Sequence, residues 1–155
     1  NKKLKKMTLN KKMAPASLAL FAILLMTGCN PKPEKIAFGK DNCAECKMTI
    51  MDPKFGGEIV TKKGKVFKFD DVHCIAVFLE HRGVEMSDIH QTLFTDYNEF
   101  IKVNSVEFVV SSQFKSPMGG NAAAFKSITE ANKKSAEIEG SKVTNWATLY
   151  NILVK

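Results

Sequence analysis

Apolar and polar positions follow two different periods along this chain, and each change of period marks an element. "FGGEIVTKKGKVFKFD", residues 55–70, alternates on either side of "KKG", which predicts a β-hairpin. "DVHCIAVFLEHRG" then switches to helical spacing, with Val72, Ile75, Ala76 and Leu79 on one face. Asp70 or Asp71 can cap that helix and Gly83 can end it. "QTLFTDY" returns to alternation as a short strand. The same order then recurs. "SVEFVVSS" reads as a strand, and "NAAAFK", after "SPMGG", as a second. "SITEANKKSAEIEG" opens with Ser127 and Glu130 at capping-box spacing, and Gly140 can close it. "KVTNW" is a last strand.

Phe69 before the first helix matches Phe125 before the second, and Asp71 matches Ser127 as cap. The pattern predicts an α+β fold made of two similar ββαβ halves, at about 41–98 and 99–155. Each half is too small to bury much alone, so the two are expected to pack together. The eleven phenylalanines read as core.

The chain start has a different pattern. Lysines 2, 3, 5, 6, 11 and 12 precede an uncharged apolar run, Ala14 to Met26, which is short for a membrane span. This is the layout of a secretory signal. It ends in "LMTGC", which resembles the lipobox of bacterial lipoproteins, with Met26 in place of the usual leucine. Residues 1–28 are therefore expected to be a lipoprotein signal peptide, Cys29 the lipidated residue, and 29–40 a polar, proline-bearing tether leading into a domain at 41–155. The formal charge of +7 changes meaning accordingly. Six of the 23 basic residues precede Cys29, which leaves 17 against 16 acidic residues. The basicity belongs to targeting and does not point to nucleic acid.

With Cys29 lipidated, Cys43, Cys46 and Cys74 remain, an odd number for an exported protein. Two of them lie in "NCAECKMTIMDP", beside Met48 and Met51. A thiol–disulfide centre at Cys43-x-x-Cys46 usually starts a helix, and the β-branched, proline-stopped continuation argues against one here. A structural disulfide, Cys43 with Cys46 or either with Cys74, leaves the methionines unexplained. A zinc site can draw on Cys43, Cys46, Cys74 and His73 or His81. However, His73 and Cys74 are adjacent on the predicted helix and point about 100° apart. Cys74 borders the apolar stripe and reads as a buried inert thiol.

A copper site uses Cys46 and Met48 together, since thiolate plus thioether is the soft donor set that selects Cu(I). In an extended loop, residues two apart project to the same side. Met118, in the glycine-bearing turn "SPMGGN", is the best third donor, with Cys43 and His73 as possible extras. Met51 and Met86 read as packing residues. No set resembles acid–base or nucleophilic catalytic machinery, so no enzyme activity is expected.

"CAECKMTIMDPKFGGEIV", "GKVFKFDDVHC" and "SPMGGNAAAF", followed by "EAN" and "EGSKV", resemble in order the NosL family of lipoproteins accessory to nitrous oxide reductase. The resemblance runs from about Cys29 to Trp146, and it is the ordered set of motifs that carries it. It implies a fold of two similar ββαβ units and a Cu(I)-binding metallochaperone that supplies the copper–sulfide centre of nitrous oxide reductase. It also implies that reductase and its membrane transporter complex as partners, and a lipid-anchored place in the cell envelope, facing the periplasm or exterior. The matching positions are Cys43, Cys46, Met48, Asp70, Asp71 and Met118. Lys47 and His73 stand where glycine is common in the family. The expected copper ligands are Cys46, Met48 and Met118, with Cys43 a weaker candidate. Asp70 and Asp71 are expected chiefly as helix caps. An exported zinc-binding or thiol-redox lipoprotein with another client is the alternative.

Overall fold

The structure is a computed structural model that describes residues 31–81, 84–97 and 99–155. The signal segment 1–28, Cys29 and Gly83 lie outside the described residues. Two antiparallel sheets form. β1 (Gly57–Thr61) and β2 (Val66–Phe69) make the expected hairpin, with Glu58 opposite Lys68. Gly64 turns it at φ 82°, the left-handed backbone that a tight hairpin loop requires. α1 (Val72–His81) follows, then a single 3-10 turn (Met86–Asp88) and β3 (Ile89–Asp96). β4 (Glu99–Lys102) pairs with β3, so the first sheet has the order β2-β1-β3-β4. The second sheet, β6-β5-β7, consists of β5 (Glu107–Val110), β6 (Ala122–Phe125) and β7 (Lys142–Asn145), with α2 (Ile128–Ala136) between β6 and β7. α3 (Trp146–Leu153) closes the chain. The fold class is the α+β one expected.

Each element has a local cause. Val72, Ile75, Ala76 and Phe78 give α1 its buried face. The approach of α1 to the sheet is close. A Cβ added at Gly57 would lie 2.7 Å from the Ile75 Cδ1 and 2.3 Å from the Leu93 carbonyl oxygen. Ser127 caps α2 by accepting the Glu130 N–H, as its spacing predicts. β4 and α3 were not foreseen. The turn before β4 begins at Tyr97, φ 56°, with no glycine to signal it. Asn145 ends β7 as expected, but its side chain also caps α3 by accepting the Thr148 N–H at 3.0 Å, so Trp146 starts a helix where the pattern predicts strand. The first sheet thus runs on past residue 98.

The halves share one core. Phe94 from β3 meets Phe108 from β5 edge-on, ring centroids 4.9 Å apart, and Trp146 covers Phe94 at 4.8 Å. Tyr150 on α3 donates its hydroxyl to Glu80 on α1 at 2.8 Å. From Glu34 onward, the segment read as a tether is fastened to the first sheet. Ile36 is buried, and the Lys68 ammonium reaches the Lys35 carbonyl at 3.0 Å and the Asp41 carboxylate at 2.9 Å. The Glu34 N–H donates at 3.0 Å to Glu58, a fully buried carboxyl whose other oxygen has no hydrogen-bond partner among the described residues.

Two predictions follow from this packing. Phe94→Ala opens a void where the sheets meet, so unfolding should remain one cooperative transition while losing about 3–5 kcal/mol in denaturant titration. Burial pushes the Glu58 carboxyl up to about 7. A folded-state value above the unfolded one means that stability is fully present below about 4.5 and is lost as pH rises through about 7. Glu58→Gln should therefore gain on the order of 2 kcal/mol over the wild type at pH 8 compared with pH 4, read as a midpoint shift of a few degrees.

Candidate metal centre

The sulfur-rich loop is closed by backbone bonds. Asn42 and Thr49 form a bridge, and inside it the Cys43 N–H donates to the Met48 carbonyl at 2.8 Å. The Lys47 N–H returns to the Cys43 carbonyl at 3.1 Å, so residues 43–47 form a single tight turn. Lys47 takes φ 68°, the left-handed region that glycine enters without strain. This explains physically why glycine suits the position. It also corrects the expected geometry, because Cys46 and Met48 are not two apart on an extended strand; a left-handed residue lies between them. The Ala44 N–H ties the loop to the Lys68 carbonyl of β2 at 2.7 Å, and β2 leads directly into α1.

That tie brings Cys74 to the loop. The Sγ atoms of Cys43, Cys46 and Cys74 all lie within 4.8 Å of one another. All three thiols are free; Cys43 and Cys74 are 1% exposed, and Cys46 is half-buried. Cys74 is buried, as expected, but its sulfur stands beside the other two. It lies in the first turn of α1, where the helix start meets the loop. Cys43, expected to be the weaker candidate, stands level with Cys46. Among the described residues no histidine or carboxylate joins the cluster, so His73 points elsewhere, as the 100° offset predicts.

The three thiols are not equivalent. Cys43 is held down to about 5, first because Cys74 donates its S–H to it, and further by the N–H groups of Asp70, Cys46 and Glu45, against burial. Burial raises Cys46, whose sulfur also accepts the Met48 N–H. Cys74 is pushed up, chiefly because its proton is engaged with Cys43. The first thiolate therefore forms at Cys43, inside a nest of donors. Asp70, beside it, is raised by burial.

The two aspartates do more than cap. The Asp71 Oδ1 accepts the His73 N–H at 2.9 Å, a true N-cap. Its Oδ2 accepts from the Ser116 hydroxyl at 2.6 Å, the Met118 N–H at 2.8 Å and the Gly120 N–H at 3.4 Å. The "SPMGG" turn of the second half is thereby fixed on the helix start of the first. Asp70 does not cap α1; it accepts the Met51 N–H at 3.3 Å and fastens the far end of the cysteine loop. Met48 and Met118 are 45% and 39% exposed; the Met48 backbone bonds Cys43 and Cys46, and the Met118 N–H bonds Asp71. Met51 and Met86, expected to pack, are 65% and 72% exposed. Met51 ends the cysteine loop, whose polar backbone leaves no core face for it, and Met86 lies on the 3-10 turn.

Three soft, mutually adjacent donors on two separately anchored segments can bind one soft metal ion. No helix among the described residues is long and apolar enough to cross a membrane.

Among curated proteins nothing matches the chain. The crystal structure of the copper chaperone NosL from Shewanella denitrificans aligns over 75% of this chain and 93% of that one, at TM-score 0.62 and 20% identity, which establishes a common fold. Residues 36–153 match the family model NosL. With the motifs, the fold and most of its length in agreement, the chain belongs to the NosL family.

Proposed function

We propose that this protein carries Cu(I) as cargo and is not an enzyme. The observation that carries the reading is the cluster of three thiol sulfurs within 4.8 Å of one another, with no histidine or carboxylate among the described residues to join them. A structural zinc site wants four N, O or S ligands in a closed tetrahedron. Three thiols suit a soft ion of low coordination number, and thiolate or thioether donors select Cu(I). Met48, which follows Cys46 in the loop by two residues, and Met118, whose turn is tied to the start of α1, are both exposed and are the thioethers that would complete this set. The Shewanella denitrificans protein of the same fold is a copper chaperone.

The arrangement suits loading and release. The Cys43 thiolate already exists at neutral pH and offers an incoming ion its first bond. Cys74 and Cys46 then give up protons as they ligate. Because Cys46 is half-buried on the loop, one side of the ion stays open to an entering ligand, and ligand exchange can pass the ion on. The client is the copper–sulfide centre of nitrous oxide reductase, reached with its membrane transporter complex. The chain is held in the cell envelope by a lipid on Cys29, behind the signal segment 1–28. Support for that placement is the lysine-rich start, the apolar run and "LMTGC".

Reduced protein titrated with Cu(I) against a chromophoric chelator, with Zn(II) as control, tests the reading. One Cu(I) should bind tightly and zinc weakly. Cys43→Ala, Cys46→Ala and Cys74→Ala should each weaken Cu(I) by at least about 100-fold, about 3 kcal/mol. Met48→Ala and Met118→Ala should cost about tenfold each, about 1.4 kcal/mol. Zinc preference, or full Cu(I) affinity in the cysteine variants, refutes the carrier.

A further inference from the structure

The Asp71 carboxylate is fully buried and receives donors from two halves of the chain. A helix cap needs only one of them, the His73 N–H. The other oxygen is committed entirely to the turn that carries Met118. Ser116 and Gly119 close that turn, the Gly119 N–H donating to the Ser116 carbonyl at 3.2 Å. Pro117 and Met118 are its two central residues, and the Met118 N–H points down onto Asp71 while its side chain faces outward, 39% exposed. Three residues beyond Asp71 on the same helix start is Cys74, one of the three clustered thiols. One carboxylate therefore ties the backbone of the Met118 turn on the second half to the helix start that carries Cys74 on the first.

The contact is shaped from both sides. A Cβ at Gly120 would lie 2.3 Å from the Asp71 Oδ1, 2.9 Å from the Val72 Cγ2 and 3.2 Å from the His73 nitrogen. Glycine is thus required for the turn to come this close. Gly119, φ 77°, and Asn121, φ 49°, hold the backbone in left-handed conformations that return the chain to β6. The Asn121 N–H donates to the Ser116 hydroxyl at 2.8 Å, so the hydroxyl that binds Asp71 is itself oriented. A carboxylate receiving this many donors has no reason to ligate a soft ion and every reason to hold its donors still.

We propose that Asp71 is the positioning residue for Met118 as a metal ligand, clamping the Met118 turn to the helix start that also carries Cys74. The proposal rests on the Cu(I)-carrier reading of the same site. Asp71 touches no metal; it acts through Met118. The clamp restricts a long, flexible side chain by fixing its backbone, which lowers the entropy lost when the sulfur binds.

A double-mutant cycle tests it in the full chain, reduced, by Cu(I) competition against a chromophoric chelator, with the melting temperature of each metal-free variant measured alongside. Asp71→Asn keeps the shape and removes the charge. Ser116→Ala removes one clamp bond and serves where Asp71→Asn folds poorly. Each should weaken Cu(I) binding, Asp71→Asn by about tenfold and Ser116→Ala by about three- to tenfold, as supporting residues around metal ligands do. In a Met118→Ala background both should change affinity less than about twofold, while still lowering the melting temperature. A cap or packing role alone predicts the lower melting temperature without the loss that depends on Met118. Equal losses in both backgrounds, or no loss in either, overturn the proposal. If Met118→Ala itself leaves Cu(I) affinity unchanged while the cysteine variants abolish it, the positioning role falls and the carrier reading stands. If the cysteine variants also retain affinity, the carrier reading falls.

Discussion

The passage from β2 into α1 is the constraint on which the site depends. Four consecutive residues there each make a different attachment. Phe69 is fully buried against Phe78. Asp70 holds Met51 by its backbone N–H, Asp71 caps the helix and holds the 116–120 turn, and Val72 begins the buried face. Two buried carboxyls in succession are costly unless their oxygens are satisfied, and here backbone N–H groups supply most of the donors. Because those donors come from distant parts of the chain, satisfying them fixes three segments relative to one another. Cys74 then lies within reach of Cys43 and Cys46 without a disulfide. The polar groups thus give this corner its specific geometry, while the apolar core supplies the drive to collapse.

The core explains why the second half is needed at all. Sheet one has a helix on one face and a fastened N-terminal segment, yet Phe94 would be open without Phe108 and Trp146. The second sheet has three strands and a helix, α2, with a single buried residue, Ala131. Neither unit has the apolar surface of an independent domain of ordinary size. Their union around Phe94, Phe108 and Trp146 brings the β5–β6 connection beside the start of α1. The three thiols lie in the first unit, and the turn that carries Met118 meets them from the second through Asp71.

Much of this was legible from periodicity. The hairpin around Gly64, the α1 stripe and the Ser127 cap follow from local patterns with known causes, and they appear at the expected places. β4 and α3 did not declare themselves. Both are short, β4 begins after a turn without glycine, and Asn145 serves as a cap where its neighbours read as strand. At the site, the cysteines and methionines are legible as soft donors, but the sequence does not decide that Cys74 joins Cys43 and Cys46. The thiol of Cys74 lies on an otherwise apolar face, and only the long-range bond from Ala44 to Lys68 brings the loop to it. The left-handed backbone at Lys47 was equally hidden, because lysine carries no signal for it. Local chemistry is written in local sequence, whereas the meeting of two segments depends on tertiary bonds.

A carrier must bind tightly enough to protect its ion and loosely enough to yield it, and the placement of the three sulfurs bears on both demands. Cys43 and Cys74 are buried and bonded to each other, so they form the floor of the cluster. Cys46 is the half-buried member, on a turn held by backbone bonds whose partners lie on both sides of it. An entering ligand therefore meets Cys46 before it meets the floor. The buried pair would keep its hold on a bound ion while that sulfur exchanged, because Asp70 and Asp71 fasten its surroundings from elsewhere. Exchange can then proceed through a change at one exposed donor, with no unfolding of the helix start. A site whose three thiols were all buried would protect the ion equally well but would require the loop to open first. The gradation in burial across the cluster thus favours transfer over storage.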